Sequence, residues 1–214
     1  MGVSRRNNHV DVLFLCIAMP APDLEKMIQH DLDDLKKLYL HKLPIRVGVA
    51  VRDSVRQNFR QGNFYGGQTW QTPLRTSLGF RGAAGQYGPL LSGSNHLMMQ
   101  TDYQPLPGKV IIQNTEVYAA THNDGEEIGV TERMRRFFWA KHLEHKQRMG
   151  VEAPETEFWK RMALKKPGSR IKIPRRHFLG PSKEVDTLVQ NVTNKELQEF
   201  VKTHYNGKTT GKSH

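Results

Sequence analysis

The chain has 214 residues, 37% of them hydrophobic, enough for one core but cramped for a second full domain. Charged residues make up 25%, ordinary for a soluble globular protein, and the net charge is +11. A single cysteine, Cys16, excludes a disulfide framework and a paired-thiolate metal site, and it suits a reducing compartment.

The first residues carry Arg5-Arg6 ahead of a short apolar run from Val10 to Met19. That run contains Asp11, is followed by no clear small-x-small cleavage site, and is too short to span a bilayer. A leader over 1–22, disordered or processed, a buried strand, and a translation start at Met19 all fit it. Pro22-Asp23 opens a helix with Asp23 as N-cap, and Leu24, Met27, Ile28, Leu35 and Leu38 recur at helical spacing. Pro44 breaks that helix and can open the next, in which Val47, Val51, Val55 and Phe59 fall four apart and Gly62 marks the end.

Residues 62–93 are rich in Gly, Gln, Ser, Thr and Pro and read as a long ordered loop anchored by Trp70, Pro73 and Leu74. A hairpin follows, with Leu97-Met98-Met99 in one strand, 109–113 in the other and Pro105–Gly108 as the turn. Val117, Tyr118 and Ala119 end a strand or form a short helix, and Asn123-Asp124-Gly125 is a turn. Thr131 caps a helix to about Met149, a shorter helix runs from Glu155 to Leu164, and Ile171 and Ile173 form a strand stopped by Pro174. The last helix starts near Ser182, buries Val185, Leu188, Val189 and Val192, and breaks at Thr193-Asn194. The Gly/Lys/Thr/Ser-rich end, 205–214, reads as a disordered tail. The fold class is α+β: a small antiparallel sheet packed by N-terminal and C-terminal helices, with a long loop and a helical basic insert. A single domain spans 23–204 and holds that insert at 127–168.

The positive charge is concentrated. Residues 131–176 hold 14 Lys and Arg against 5 Glu, while the rest of the chain is close to neutral. Arg133, Arg135, Arg136, Lys141, Lys160, Arg161, Lys165 and Lys166 form a candidate basic interface that would attract DNA, an acidic protein surface or an anionic membrane. The alternative is a solvated helical face. Phe137, Phe138 and Trp139 would be available to stack on bases if the partner were a nucleic acid.

Catalytic patterns are incomplete. His142-Leu143-Glu144-His145 has the wrong spacing for a zincin, which needs two histidines four apart on one helical face. His142 and Glu144 match half of a deaminase signature whose Pro-Cys-x-x-Cys half is missing. The Gly79–Gly85 stretch lacks both dinucleotide spacing and a P-loop lysine, and Ser92 sits in no nucleophile elbow. His122 near Asp124 could be a base with its orienter, but no nucleophile motif accompanies them. The reading is a non-enzyme, without cofactor or metal.

Four segments carry the remaining information in a fixed order: Gly67 to Leu74, Pro89 to Leu97, Tyr118 to Gly125, and Ile173 to Gly180. Within them stand Trp70, Pro73, Leu74, Leu91, Gly93, Leu97, Tyr118, Ala119, His122, Gly125, Pro174, Arg176, Phe178 and Gly180. Each has a structural role of its own. Trp70 offers a large apolar face with one N–H to satisfy, Gly93, Gly125 and Gly180 permit backbone that other residues resist, and Arg176 can fork to Asp124 or Glu126. The order of the segments resembles the phage virion morphogenesis family, the Mu G-like tail-completion and head–tail joining proteins, from about Pro44 to His204. Leu97-Met98-Met99 and the long 127–168 insert depart from the family pattern.

The resemblance implies an assembly protein of a tailed phage or prophage that closes as a ring, a hexamer being one size open to it. It implies tail tube or tail terminator and head connector proteins as partners, contact with DNA in the lumen, and no membrane. Its place would be the host cytoplasm during assembly and then the tail or neck of the virion. Two other readings remain open on the residues alone: a basic nucleic-acid-binding module using 131–176, and a secreted hydrolase with a signal at 1–19.

Overall fold

The computed structural model describes residues 21–150 and 152–206. The apolar run at 10–19 with Cys16, and the end at 207–214, lie outside the described residues. Helix α1 (Ala21–Lys37) starts ahead of Asp23, so Asp23 lies in its first turn and does not cap it. The chain then widens into one π-helical turn (Leu38–Lys42) and enters α2 (Leu43–Gln61). Pro44 therefore does not break the rod. It stands just after the π-helical turn, and the Leu40 carbonyl, four residues back, accepts instead from the Gly108 N–H at 3.2 Å.

Val47, Val51, Val55 and Phe59 are all buried, since residues four apart share a face of α2. Gly62 ends the helix with a left-handed φ of 68°, and its N–H donates to the Asn58 carbonyl at 2.8 Å. Along the same helix Gly48 leaves room for the Tyr103 ring, which a Cβ there would strike.

The loop after α2 holds two short helices, α3 (Leu74–Ser77) and α4 (Ala83–Gln86). Leu97-Met98-Met99 is not a strand but lies in a third, α5 (His96–Met99). Leu97 and Met98 are adjacent and both buried in the core, whereas a strand would send one of them outward. The hairpin starts later. Strand β1 (Thr101–Leu106) pairs antiparallel with β2 (Lys109–Asn114), with Leu106 opposite Lys109 across a Pro107-Gly108 turn.

Helix α6 (Ala119–Asp124) leads into β3 (Glu126–Gly129), which the periodicity does not reveal. After it come α7 (Glu132–Met149), α8 (Pro154–Ala163) and β4 (Arg170–Ile173). Strands β3 and β4 pair antiparallel, Glu126 opposite Ile173 and Gly129 opposite Arg170. The expected single sheet is thus two separate two-stranded ribbons, and the class is α+β. Thr131 caps α7 by accepting from the Met134 N–H at 3.2 Å. Ser182 caps α9 (Lys183–Val201) by accepting from the Val185 N–H at 3.1 Å. That helix runs unbroken through Thr193-Asn194. Val185, Leu188, Val189 and Val192 pack on the core, outweighing propensity differences of a few tenths of a kcal/mol per residue.

The main core gathers the α2 stripe, Trp70, Leu97, Met98, Ala119 and Phe178. Phe59, 0% exposed, is its centre, with its ring 5.8 Å from Trp70 edge-on and 4.8 Å from Phe178. A satellite cluster sits between α7 and α8, where Phe138 and His145 meet Trp159 and Ala163 is fully buried. Phe178→Ala removes a ring from the centre of the main core. It should lower unfolding free energy by about 3–5 kcal/mol, measured by urea denaturation, whereas Val117→Ala at a 95% exposed position should change it by less than about 0.5 kcal/mol.

Candidate functional site

The four sequence segments meet in space. Between the core and the α7–α8 hairpin lies a groove of about 920 Å³ lined by Pro73, Leu74, Leu91, Leu97, Tyr118, His122, Pro174 and Arg176, among others. Trp70, Ala119 and Phe178 lie behind it as core residues. Gly93 is exposed on the loop, and Gly180 packs against the His177 ring. Of the three motif glycines only Gly125 has a positive φ, 77°. A Cβ there would also fall within 3.1 Å of three Arg175 atoms, so this position needs glycine twice over.

A strap of backbone over Arg176–Leu179 holds the segments together. The Arg176 N–H donates to the His122 carbonyl at 2.8 Å. Phe178 and Leu179 both donate their N–H to Asn123 Oδ1 at 3.0 Å. Trp70 Nε1 donates to the His177 carbonyl at 3.0 Å, giving the indole the partner its burial requires. Trp70 in turn donates its backbone N–H to the Gly62 carbonyl at 2.7 Å. Asn123 is the residue the sequence reading missed. The Asn-Asp-Gly turn signal located it, but its acceptor role faces a segment 55 positions away.

Arg176 does not fork to Asp124 or Glu126. Its Nε donates to the Gln71 carbonyl at 3.1 Å, and the residue is 8% exposed with no ion pair among the described residues. Asp124 instead accepts from Asn123 Nδ2, and Glu126 accepts from the Thr121 hydroxyl. Arg75, not singled out from sequence, donates to the carbonyls of Tyr87, Gly88 and Leu91 at 3.2, 2.9 and 2.8 Å and so pins the loop. Burial lowers the pKa of the Arg176 guanidinium, and the Arg75 charge adds to the effect. Burial also lowers that of Arg75. Two desolvated cations thus share one wall with no carboxylate among the groove residues.

The candidate basic interface divides. Arg135 is drawn inward, with Nε donating to the Ala163 carbonyl at 3.2 Å and a guanidinium nitrogen to Glu132. Lys141 pairs with Glu144 at 2.7 Å. Lys165 lines the groove. Arg133, Arg136, Lys160, Arg161 and Lys166 are exposed on the hairpin, without ion pairs among the described residues. Phe138 is buried and cannot stack on a base, while Phe137 and Trp139 are exposed.

The catalytic fragments have structural work. His142 Nδ1 lies 3.1 Å from the Thr156 carbonyl, a contact that requires the proton on that nitrogen. His145 stacks on Trp159. Among the described residues no group of three His, Cys, Asp or Glu could hold a metal ion. Nor is any helix there long and apolar enough to cross a membrane.

The model of the phage virion morphogenesis family matches residues 24–198, most of the chain. The chain belongs to the phage virion morphogenesis family. Comparison with curated proteins and with solved structures gave no match. The phage virion morphogenesis proteins are a structural family, so the role is in building a phage particle. The groove where the four segments meet lies within the matched residues.

Asn123→Ala in this virion morphogenesis protein leaves two strap N–H groups without an acceptor. At about 1–3 kcal/mol for each orphaned donor, denaturation should show a loss of about 2–6 kcal/mol, and Asn123→Asp, which keeps the acceptor, should lose less.

Burial pushes the His122 imidazole below its ordinary value of 6.5, and nearby Arg176 pushes it the same way. Burial and Arg175 lower His177 too, with Asp124 opposing them. The folded protein holds both rings neutral to lower pH than the unfolded chain does. The stability they contribute is therefore complete above 6.5 and falls as pH drops below it. The urea midpoint should decline between about pH 7.5 and about pH 5, and His122→Asn should flatten that decline.

Proposed function

We propose that this protein acts in tail completion and head–tail joining, assembling as a ring at the head-proximal end of the tail. The observation that carries the reading is the convergence of the four sequence segments on one open groove that is lined by cations and by no carboxylate. Leu74 stands 61% exposed at its rim and Tyr118 38%, an apolar surface that a monomer has no reason to present. Such a surface suits a partner that brings both apolar side chains and acidic groups. A head-to-tail contact repeated about an axis closes into a ring without two-fold dimers. In this reading the neighbours are further copies, the tail tube or terminator, and the head connector. The protein gathers in the host cytoplasm and ends in the neck of the particle.

A second role belongs to the hairpin. The exposed cations of α7 and α8 beside Phe137 and Trp139 suit contact with DNA passing through the lumen.

Deleting the gene from the parent phage or prophage and imaging the lysate tests the main reading. Complete tails and full heads lying apart are expected, and normal infectious particles would overturn it. For the second role, fluorescence anisotropy with duplex DNA should show affinity falling steeply between low and physiological salt. Arg133→Ala/Arg136→Ala should shallow that slope by about two.

A further inference from the structure

Helix α1 carries a surface that the other described residues leave open. Leu24, Met27, Ile28, Leu32 and Leu35 follow helical spacing along one face and are 38–54% exposed. Five large apolar side chains in solvent on one 17-residue helix are what a helix-in-groove contact requires of its donor. The helix is also acidic. Between Leu24 and Leu35 stand Glu25, Asp31, Asp33 and Asp34 against a single Lys26. Asp34 pairs with Lys37 at 2.9 Å and meets His204, and Asp31 accepts from the Tyr205 hydroxyl, which ties the middle of α1 to the π-helical turn (Lys202–Asn206) that follows α9.

The groove is the opposite. Arg75, Arg176, Lys165, Arg170 and Lys172 line it among apolar side chains, and no carboxylate does. Among the described residues only Arg170 has an ion pair, to Glu127 outside the groove at 3.3 Å.

Resting on the ring reading above, we infer that the acidic, apolar face of α1 from one copy docks in the cationic groove of the next. Both surfaces belong to the same chain, so each copy offers one donor and one acceptor. The contact is heterologous and propagates from copy to copy. Apolar side chains of α1 cover Leu74 and Tyr118, and Asp31 on that face with Glu25 beside it supplies the counter-charge that Arg75 and Arg176 lack.

The experiment uses the full chain and two variants whose changes all lie at exposed positions. Ile28→Asp/Leu32→Asp spoils α1, and Leu74→Asp/Lys172→Glu spoils the groove. Mass is read by light scattering, and circular dichroism checks that each variant keeps the wild-type helix content. The expected result is an oligomeric wild type and two monomeric variants. Their equimolar mixture should form a dimer and nothing larger, because each variant retains the one surface the other lacks. A mixture that stays monomeric overturns the pairing of these two surfaces. Wild-type-sized oligomers in either variant also overturn it, while leaving a ring built through another interface. A monomeric wild type sinks the ring itself, and would follow if residues 1–20 of the same chain covered α1. Should the groove variant lose its fold, disulfide trapping decides. In a Cys16→Ser background, Ile28→Cys and Leu74→Cys on separate copies should cross-link on oxidation, and absence of the cross-link overturns the inference.

Discussion

The strap at Arg176–Leu179 is the constraint on which the other parts depend. Its backbone would otherwise be an irregular segment in the interior, where unpaired N–H and C=O groups each cost about 1–3 kcal/mol. Asn123 Oδ1, the His122 carbonyl and the Trp70 indole satisfy it from two directions. Those three residues are positioned in turn by α6, by the Gly62 corner and by the Phe59 ring against which Trp70 stands. Segments separated by more than a hundred residues thereby become one wall, and Phe178 is delivered to the centre of the core by the same backbone that closes the groove. Removing any one of these contacts loosens both the core and the surface above it.

Charge on that wall follows a different logic from charge elsewhere in the molecule. The hairpin cations stand in water, where pairing contributes little and salt screens what there is. Arg75 and Arg176 are held by carbonyl groups, which accept hydrogen bonds without cancelling charge. A buried guanidinium bonded only to neutral oxygens keeps a strong field directed at whatever enters the groove. The fold accepts the desolvation because the same bonds fix the 87–91 loop and the strap. The same two side chains thus hold the loop and the strap and also face the groove.

Much of this was legible in the residues. The fourfold valine–phenylalanine stripe of α2, the Gly62 stop, and the Thr131 and Ser182 caps are local patterns whose physics lies within one or two turns. The misses at the core and the site are non-local. Leu97-Met98-Met99 is a short apolar run that periodicity alone does not assign, core contacts drew both Leu97 and Met98 inward, and Arg56 of α2 holds the end of that turn by its donations to the Met99 and Thr101 carbonyls. Strand β3 has four residues, two of them Glu, and exists only because β4 lies beside it. At Thr193-Asn194 local propensity argued for a break that the packed face of α9 overrode. For the site, the segments could be found by type and order. That Arg176 would meet carbonyls instead of carboxylates, and that Asn123 would hold the strap, required knowing which backbone passes nearby.

The β3–β4 ribbon has one more consequence. Chain leaving the body at Val130 returns at Ser169, and the two are already hydrogen-bonded at 2.8 Å. Closing the stem does not depend on what hangs from it, because loop-closure entropy grows only slowly with length. The 130–169 excursion is thus a module that can lengthen, shorten or change its charge while the core stays as it is. Selection for fit to a different particle would act first on the exposed side of that excursion, while the residues it turns toward the groove stay tied to the body.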